Sequence, residues 1–370
     1  MPHFAHRLFT ALVLTSLSTQ GVRSQAPDAF AEFRREADAL VAKAMDRDKV
    51  TGVSLLVAFG DDVVLAKGYG LANVEHAVPV TPETVFQIGS VTKQFTAAAI
   101  LKLVDAGKLR LEDKLRDVLP DYPFSDERVT VHQLLNHTSG ITSYTRFRKE
   151  FAERGDRPFR HRDFYGFIKD EPFEFEPGTA YKYSNSGYYL LGMIIEEVSG
   201  VSYRKFLDDE LLSPLGLDAT YYGSDARIIK HRASGYSSSG LFRQTVNVKD
   251  GSLAWPFAAG VLLSTTRDLH RWSLALHGGR VLSEGSYERM TTPTSRGTDE
   301  RPHSYGYGLN VHERDGRRVF VHGGSIPGFR AFHAFFPASK LSIAMLSNKF
   351  QCNPGPVVLR LSEKALAVQR

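Results

Sequence analysis

The sequence predicts a mixed α/β protein of the α+β kind: one antiparallel sheet built from both chain ends, flanked by terminal helices, with a mainly helical lobe inserted between its halves. Three observations carry this. Apolar strand-like runs joined by turn signals occur near the start, over 53–70, and again after 300. Amphipathic helical stripes lie outside them at both ends, and the stretch from about 110 to 225 reads as helices and loops. The expected partition is a sheet lobe over about 25–80 and 240–370 and a helical lobe over about 81–239, all in one domain from 25 to 370.

Residues 1–24 read as a secretory signal: His3, His6 and Arg7 precede an apolar run, Leu8 to Leu17, too short to span a bilayer, with Val22-Arg23-Ser24 as a cleavage site. A secreted or periplasmic location with no membrane span in the mature chain is expected. The full chain carries 46 Lys and Arg against 41 Asp and Glu, and losing Arg7 and Arg23 takes its formal charge from +5 to +3. So mild a surplus gives no reason to expect a nucleic-acid partner. Cys352 is the single cysteine, so no internal disulfide can form and packing must hold the fold.

From Asp28 to Asp46, Phe30, Phe33, Ala37, Leu40, Val41 and Ala44 form the apolar stripe of the first helix. Val53–Phe59 and Val63–Gly70 are strands hinged at Gly60-Asp61-Asp62. A buried helix follows Ser90, its run Ala97 to Leu101 continuously apolar, closed by Ala106-Gly107-Lys108. The arginine-rich segment 146–162 reads as a solvated surface. Tyr307–Glu313 and Arg317–His322 flank Asp315-Gly316, a type I′ hairpin signal, and Phe329–Phe336 and Leu341–Ser347 follow as strands. Pro356 is expected to open the last helix, where a missing N–H costs nothing.

Three short patterns carry chemistry. Ser90 and Lys93 stand three apart, so on a helix they share a face. A buried lysine loses its proton readily and can activate a serine hydroxyl, and nothing structural calls for a buried lysine. The chain supplies a control in Ser202-Tyr203-Arg204-Lys205, the same spacing, where Ser202 reads as a helix cap and Lys205 as a solvated side chain. Tyr183-Ser184-Asn185 offers a hydroxyl that could shuttle a proton and an amide that both donates and accepts; as a plain loop it would be unremarked. His322-Gly323-Gly324-Ser325 ends a strand, and its glycines let a ligand approach the backbone. Its look-alike His277-Gly278-Gly279 merely closes a helix.

Ser-x-x-Lys, Tyr-x-Asn and a strand-borne His-x-Gly, widely separated and in that order, resemble the serine β-lactamase and penicillin-binding-protein superfamily. The likeness is greatest to class C β-lactamases, D-alanyl-D-alanine carboxypeptidases and their esterase relatives. Leu134–Gly140, Pro214-Leu215-Gly216-Leu217 and Ala259–Thr265 extend it over roughly residues 50–350. The resemblance implies a β-lactamase/transpeptidase-like fold and a serine hydrolase working through a Ser90 acyl-enzyme. Lys93 and Tyr183 would share the proton transfers, and Asn185 would hold the substrate amide. The N–H groups of Ser90 and Ser325, the latter next to Gly324, would stabilise the oxyanion. It implies a small-molecule or peptide acyl substrate (ester, amide, or β-lactam/D-Ala type) and no metal or cofactor. Where many members carry Lys-Thr-Gly, this chain has His322-Gly323-Gly324. An unperturbed histidine is only about 10% charged at pH 7.5, so an esterase-like preference is expected, with charge returning below pH ~6.5. Arg330 could replace that charge. The competing reading is a non-catalytic acyl-binding or sensor protein on the same fold, against which the complete Ser90, Lys93, Tyr183 set argues.

Overall fold

The computed structural model describes residues 28–120, 128–147, 159–224, 226–241, 243–248, 255–294 and 304–369, with Met1 and Glu150 as isolated positions. The expected export signal over 1–24 and part of the arginine-rich 146–162 segment lie outside the described residues. In chain order the strands are β1 (Gly52–Phe59), β2 (Asp62–Asn73), β3 (Val78–Pro79), β4 (Phe86–Gln87), β5 (Tyr221–Tyr222) and β6 (Tyr236–Ser239). β7 (Gln244–Asn247), β8 (Leu262–Ser264), β9 (Asn310–Arg314), β10 (Arg317–Ile326), β11 (Phe329–Phe336) and β12 (Leu341–Ser347) complete them. Seven form one sheet in the order β3-β2-β1-β12-β11-β10-β9, so the two chain ends meet where β1 pairs antiparallel with β12, Val53 opposite Ser347. The sheet built from both termini is thus present. Two small sheets, β4-β8-β5 and β6-β7, were not among the expected elements.

Every residue of β1 and β12 is buried because helices cover both faces of the sheet. On the outer face the first helix, Ala31–Asp48, and the last, Pro354–Val368, pack Phe33, Val41, Val358 and Leu361 against Val57, Ile343 and Met345. The inner face carries the larger core, where the serine helix (Thr92–Asp105) meets the helix Thr266–His277 through Phe95 stacked on Trp272 at 4.0 Å. The helical segment lies beyond, with the asparagine helix, Asn185–Ser199, packed on the serine helix.

Several boundaries move. The first helix runs Ala31–Asp48, and β9 begins at Asn310. Tyr307 precedes β9 because Gly308, at φ 72°, turns the chain there. Pro354, not Pro356, opens the last helix; Pro356 falls two residues further on, where its missing N–H is still one of the four a helix start leaves free. Asp315 and Gly316, at φ 49° and 70°, make the β9–β10 turn as the sequence predicts.

Candidate active site

Ser90 occupies a single 3₁₀ turn, Gly89–Val91, between β4 and the serine helix. Gly89 takes φ 50°, and a side chain there would put its Cβ 2.9 Å from the Ser325 nitrogen. Across the gap, a Cβ on Gly324 would overlap the Ile88 carbonyl oxygen. Two glycines therefore let β10 lie against the serine turn, bringing the Ser325 backbone to Ser90. Both serines line a cleft of about 460 Å³.

Lys93, one turn along the helix, has no exposed surface. Its Nζ donates to Ala259 O at 2.7 Å and to Asn185 Oδ1 at 2.8 Å, and lies 3.2 Å from Ser90 Oγ. The Tyr183 and Tyr188 rings lie 4.8 and 5.3 Å away. Burial pushes the Lys93 ammonium well below an ordinary lysine value, favouring the free amine. Tyr183 is hydrogen-bonded to Ser90 through its hydroxyl, and burial raises its pKa, so the phenol keeps its proton at neutral pH. Asn185, first residue of its helix, donates from Nδ2 to Thr145 Oγ1 at 3.1 Å, while its backbone N–H donates to Ser143 Oγ at 3.1 Å. The structure brings Ser90, Lys93, Tyr183 and Asn185 together.

The look-alikes separate. Ser202 Oγ accepts from Lys205 N–H and caps a short helix, while Lys205 Nζ donates to Asp209 at 2.7 Å on the surface. A buried lysine, however, does not by itself mean catalysis. Lys349 also has no exposed surface, and its Nζ donates to Ser237 O at 2.8 Å and Thr245 Oγ1 at 2.7 Å, pinning the β6–β7 hairpin. What sets Lys93 apart is the serine hydroxyl within its reach.

His322 lines the cleft but does not behave as expected. Its Nδ1–H donates to Gly323 O at 2.7 Å and its Nε2 accepts from the Tyr305 hydroxyl at 3.0 Å, which satisfies a neutral ring. Burial first, and Lys93 second, push its pKa down to about 3. The sealed neutral ring and its lowered pKa go against protonation near pH 6.5. Arg330, opposite Ser325 in the β10–β11 register, does line the cleft. Its Nε donates to Phe350 O at 2.7 Å and its guanidinium lies 4.5 Å from the Phe350 ring centre.

Sequence reasoning passed over Tyr305, Tyr181, Thr145 and His137. Tyr305 and Tyr181 line the cleft, and the His137 ring packs 4.3 Å from Tyr183 and 4.6 Å from Tyr305. The available signal for Tyr305 was the alternation Tyr305-Gly306-Tyr307-Gly308 just before a strand. Thr145, one residue beyond the Ser143–Tyr144 pair, gave none. Among the described residues no group of His, Cys, Asp and Glu could hold a metal ion, and no helix is long and apolar enough to cross a membrane.

A sheet closed from both chain ends carries a Ser-x-x-Lys pair, its lysine buried and its serine on the cleft, against the β10 backbone. The beta-lactamase family model matches residues 37–367, and the chain belongs to that family. It is 28% identical over 325 residues to protein flp of Staphylococcus aureus (strain MRSA252), covering 86% of this chain and 63% of that one. The chain thus spans about 63% of the length of that curated relative. Among solved structures, an octameric penicillin-binding protein homologue from Pyrococcus abyssi superposes with a TM-score of 0.78 at 31% identity, covering 91% of this chain and 78% of that one. A D-stereospecific amidohydrolase from Streptomyces sp. gives a TM-score of 0.78 at 27% identity, covering 89% and 97%.

Proposed function

We propose that the chain is an exported serine hydrolase that cleaves esters or amides through an acyl-enzyme on Ser90. The observation that carries this is Ser90 Oγ held between Lys93 Nζ, at 3.2 Å, and the Tyr183 hydroxyl. The neutral Lys93 amine takes the Ser90 proton directly as Oγ attacks the acyl carbon, with the Tyr183 hydroxyl on the other side of Oγ. The carbonyl oxygen becomes an oxyanion facing the Ser90 and Ser325 N–H groups. When it collapses, the bond to the leaving group breaks, and that group departs with the proton returned from Lys93 through Tyr183. Water then repeats the sequence on the acyl-enzyme, releasing the acid and free Ser90. Asn185 Oδ1 keeps the Lys93 ammonium in line during the interval.

Neutral His322 supports a preference for uncharged acyl donors, short esters first. The likeness to the Streptomyces D-stereospecific amidohydrolase adds D-amino-acid amides as substrates to try. The apolar run Leu8–Leu17 supports export. The test is a panel of p-nitrophenyl esters, D-amino-acid amides, a D-Ala-D-Ala peptide and a chromogenic cephalosporin, run on wild type and Ser90→Ala. Turnover on at least one ester should fall about a thousandfold or more in Ser90→Ala, and a fluorophosphonate should add its mass to the Ser90 peptide. Labelling at Ser202, or undiminished turnover in Ser90→Ala, would overturn the reading.

A further inference from the structure

Asn185 meets Lys93 with its oxygen, and its amide must be held that way round. The two ends of an asparagine amide are nearly the same size, so only hydrogen-bond partners choose between them. Lys93 Nζ needs the oxygen when it donates, but the free amine also carries a lone pair that could accept from Nδ2, so Lys93 alone does not fix its partner. The second constraint comes from the 3₁₀ turn Tyr144–Arg146 and Ser143 just before it. Asn185 Nδ2 lies 3.1 Å from Thr145 Oγ1, and Thr145 Oγ1 lies 3.0 Å from Ser143 Oγ. Ser143 Oγ in turn accepts the Asn185 backbone N–H at 3.1 Å.

A hydroxyl both donates and accepts, so Thr145 alone would tolerate either end of the amide. The Ser143–Thr145 hydrogen bond can run either way, and the direction that fixes the amide is the one in which Thr145 donates. With the Thr145 hydrogen directed at Ser143 Oγ, Thr145 offers Asn185 only lone pairs, which an N–H can use and a carbonyl oxygen cannot. Nδ2 must then face Thr145, and Oδ1 must face Lys93 at 2.8 Å.

We propose that Thr145 is a positioning residue, which with Ser143 fixes the orientation of the Asn185 amide and so the reach of Lys93 to Ser90. The inference rests on the Ser90–Lys93 chemistry proposed above. Thr145 touches neither of those side chains in the hydrogen-bond network; it acts through Asn185.

Thr145→Val keeps the shape and removes the acceptor, whereas Thr145→Ser keeps the hydroxyl and drops a methyl. Both are assayed on p-nitrophenyl acetate, which has no amide for Asn185 to bind, beside wild type and Ser90→Ala. Thr145→Val should lower kcat about tenfold, the scale of one buried hydrogen bond, with KM and the thermal midpoint little changed. Thr145→Ser should stay within about twofold of wild type. Ser143→Ala, which frees the Thr145 hydrogen to face Asn185, should give an intermediate loss. It also serves as the second variant should Thr145→Val fold poorly. Wild-type kcat in both Thr145→Val and Ser143→Ala overturns the inference, and so does a Thr145→Ser as slow as Thr145→Val. If Ser90→Ala keeps its activity, the hydrolase reading itself has failed; an inactive Ser90→Ala beside a wild-type Thr145→Val removes only the role of Thr145.

Discussion

A histidine in the middle of β10 shows how far a residue type predicts chemistry and where surroundings take over. The strand runs on to Ile326, past the end at His322 that the sequence predicts. From the sequence, His322 is a group about to titrate; in the fold it is a sealed neutral ring between Gly323 and Tyr305. Its pKa of about 3 means that no protonation of His322 intrudes between pH 5.5 and 8. The expected result is that short esters outperform the carboxylate-bearing cephalosporin by a ratio that stays level over that range. His322→Lys should move the preference toward the cephalosporin, by roughly 10- to 150-fold if the new cation meets the carboxylate in a charge-assisted bond. Measuring kcat/KM for both substrates against pH decides it: a gap that narrows with a midpoint near 6.5 would mean a solvated, titrating His322. Residue identity did locate Ser90, Lys93, Tyr183 and Asn185, because each pattern needed only short spacing. It could not foresee Tyr305 or Thr145, whose partners stand 17 and 40 positions away in the chain.

Among the elements, the contact between β10 and the serine turn governs the site. The sequence reads β11 and β12 to the residue, since mostly apolar runs there end at clear turns on both sides. β9 is harder to place because Tyr307, Leu309 and Val311 alternate like a strand, while Gly308 bends the chain among them. In the fold, buried Tyr307 and Leu309 belong to the inner core ahead of β9. The glycines Gly89 and Gly324 are legible as turn residues but not as partners, for no local pattern says that two backbones must touch. Gly324→Ala places a methyl into the Ile88 carbonyl, so β10 must withdraw from the serine turn. Turnover should fall by at least a hundredfold with far-UV circular dichroism unchanged, as the loss of one oxyanion donor would produce. Equal turnover in Gly324→Ala and wild type would show that Ser325 N–H plays no part.

The whole molecule has a cost built into its inner layer, and it is visible only once the sheet is assembled. That the two chain ends would share one sheet follows from strand signals at both termini. That His322 and His333 would be buried on its inner face, with a half-buried His277 from the covering helix stacked over it, does not, because each sits in a stretch that could equally be solvated. His322 and His333 face each other across β10 and β11, and His277 lies stacked between Phe320 and Phe335, 4.6 and 4.5 Å from their ring centres. Burial lowers each of the three to about 3. In the unfolded chain they return to about 6.5, so below that pH unfolding takes up protons that the native state refuses. The sign follows: their contribution is fully present above pH ~6.5 and is lost as pH falls from there toward 3. Each proton taken up contributes about 1.4 kcal/mol per pH unit to the slope, and His132 and His270, also lowered by burial, add to it in the same direction. Asp268, raised by burial, opposes them as a single group. The urea midpoint should therefore drop steadily between pH 6.5 and 5, above the range where most carboxylates titrate. His277→Gln, which removes one of these imidazoles, should make that slope shallower by about one proton even though it lowers stability at pH 7.5. A midpoint that is flat or rises as the pH falls from 6.5 to 5 would mean that these rings are hydrated and charged in the folded protein.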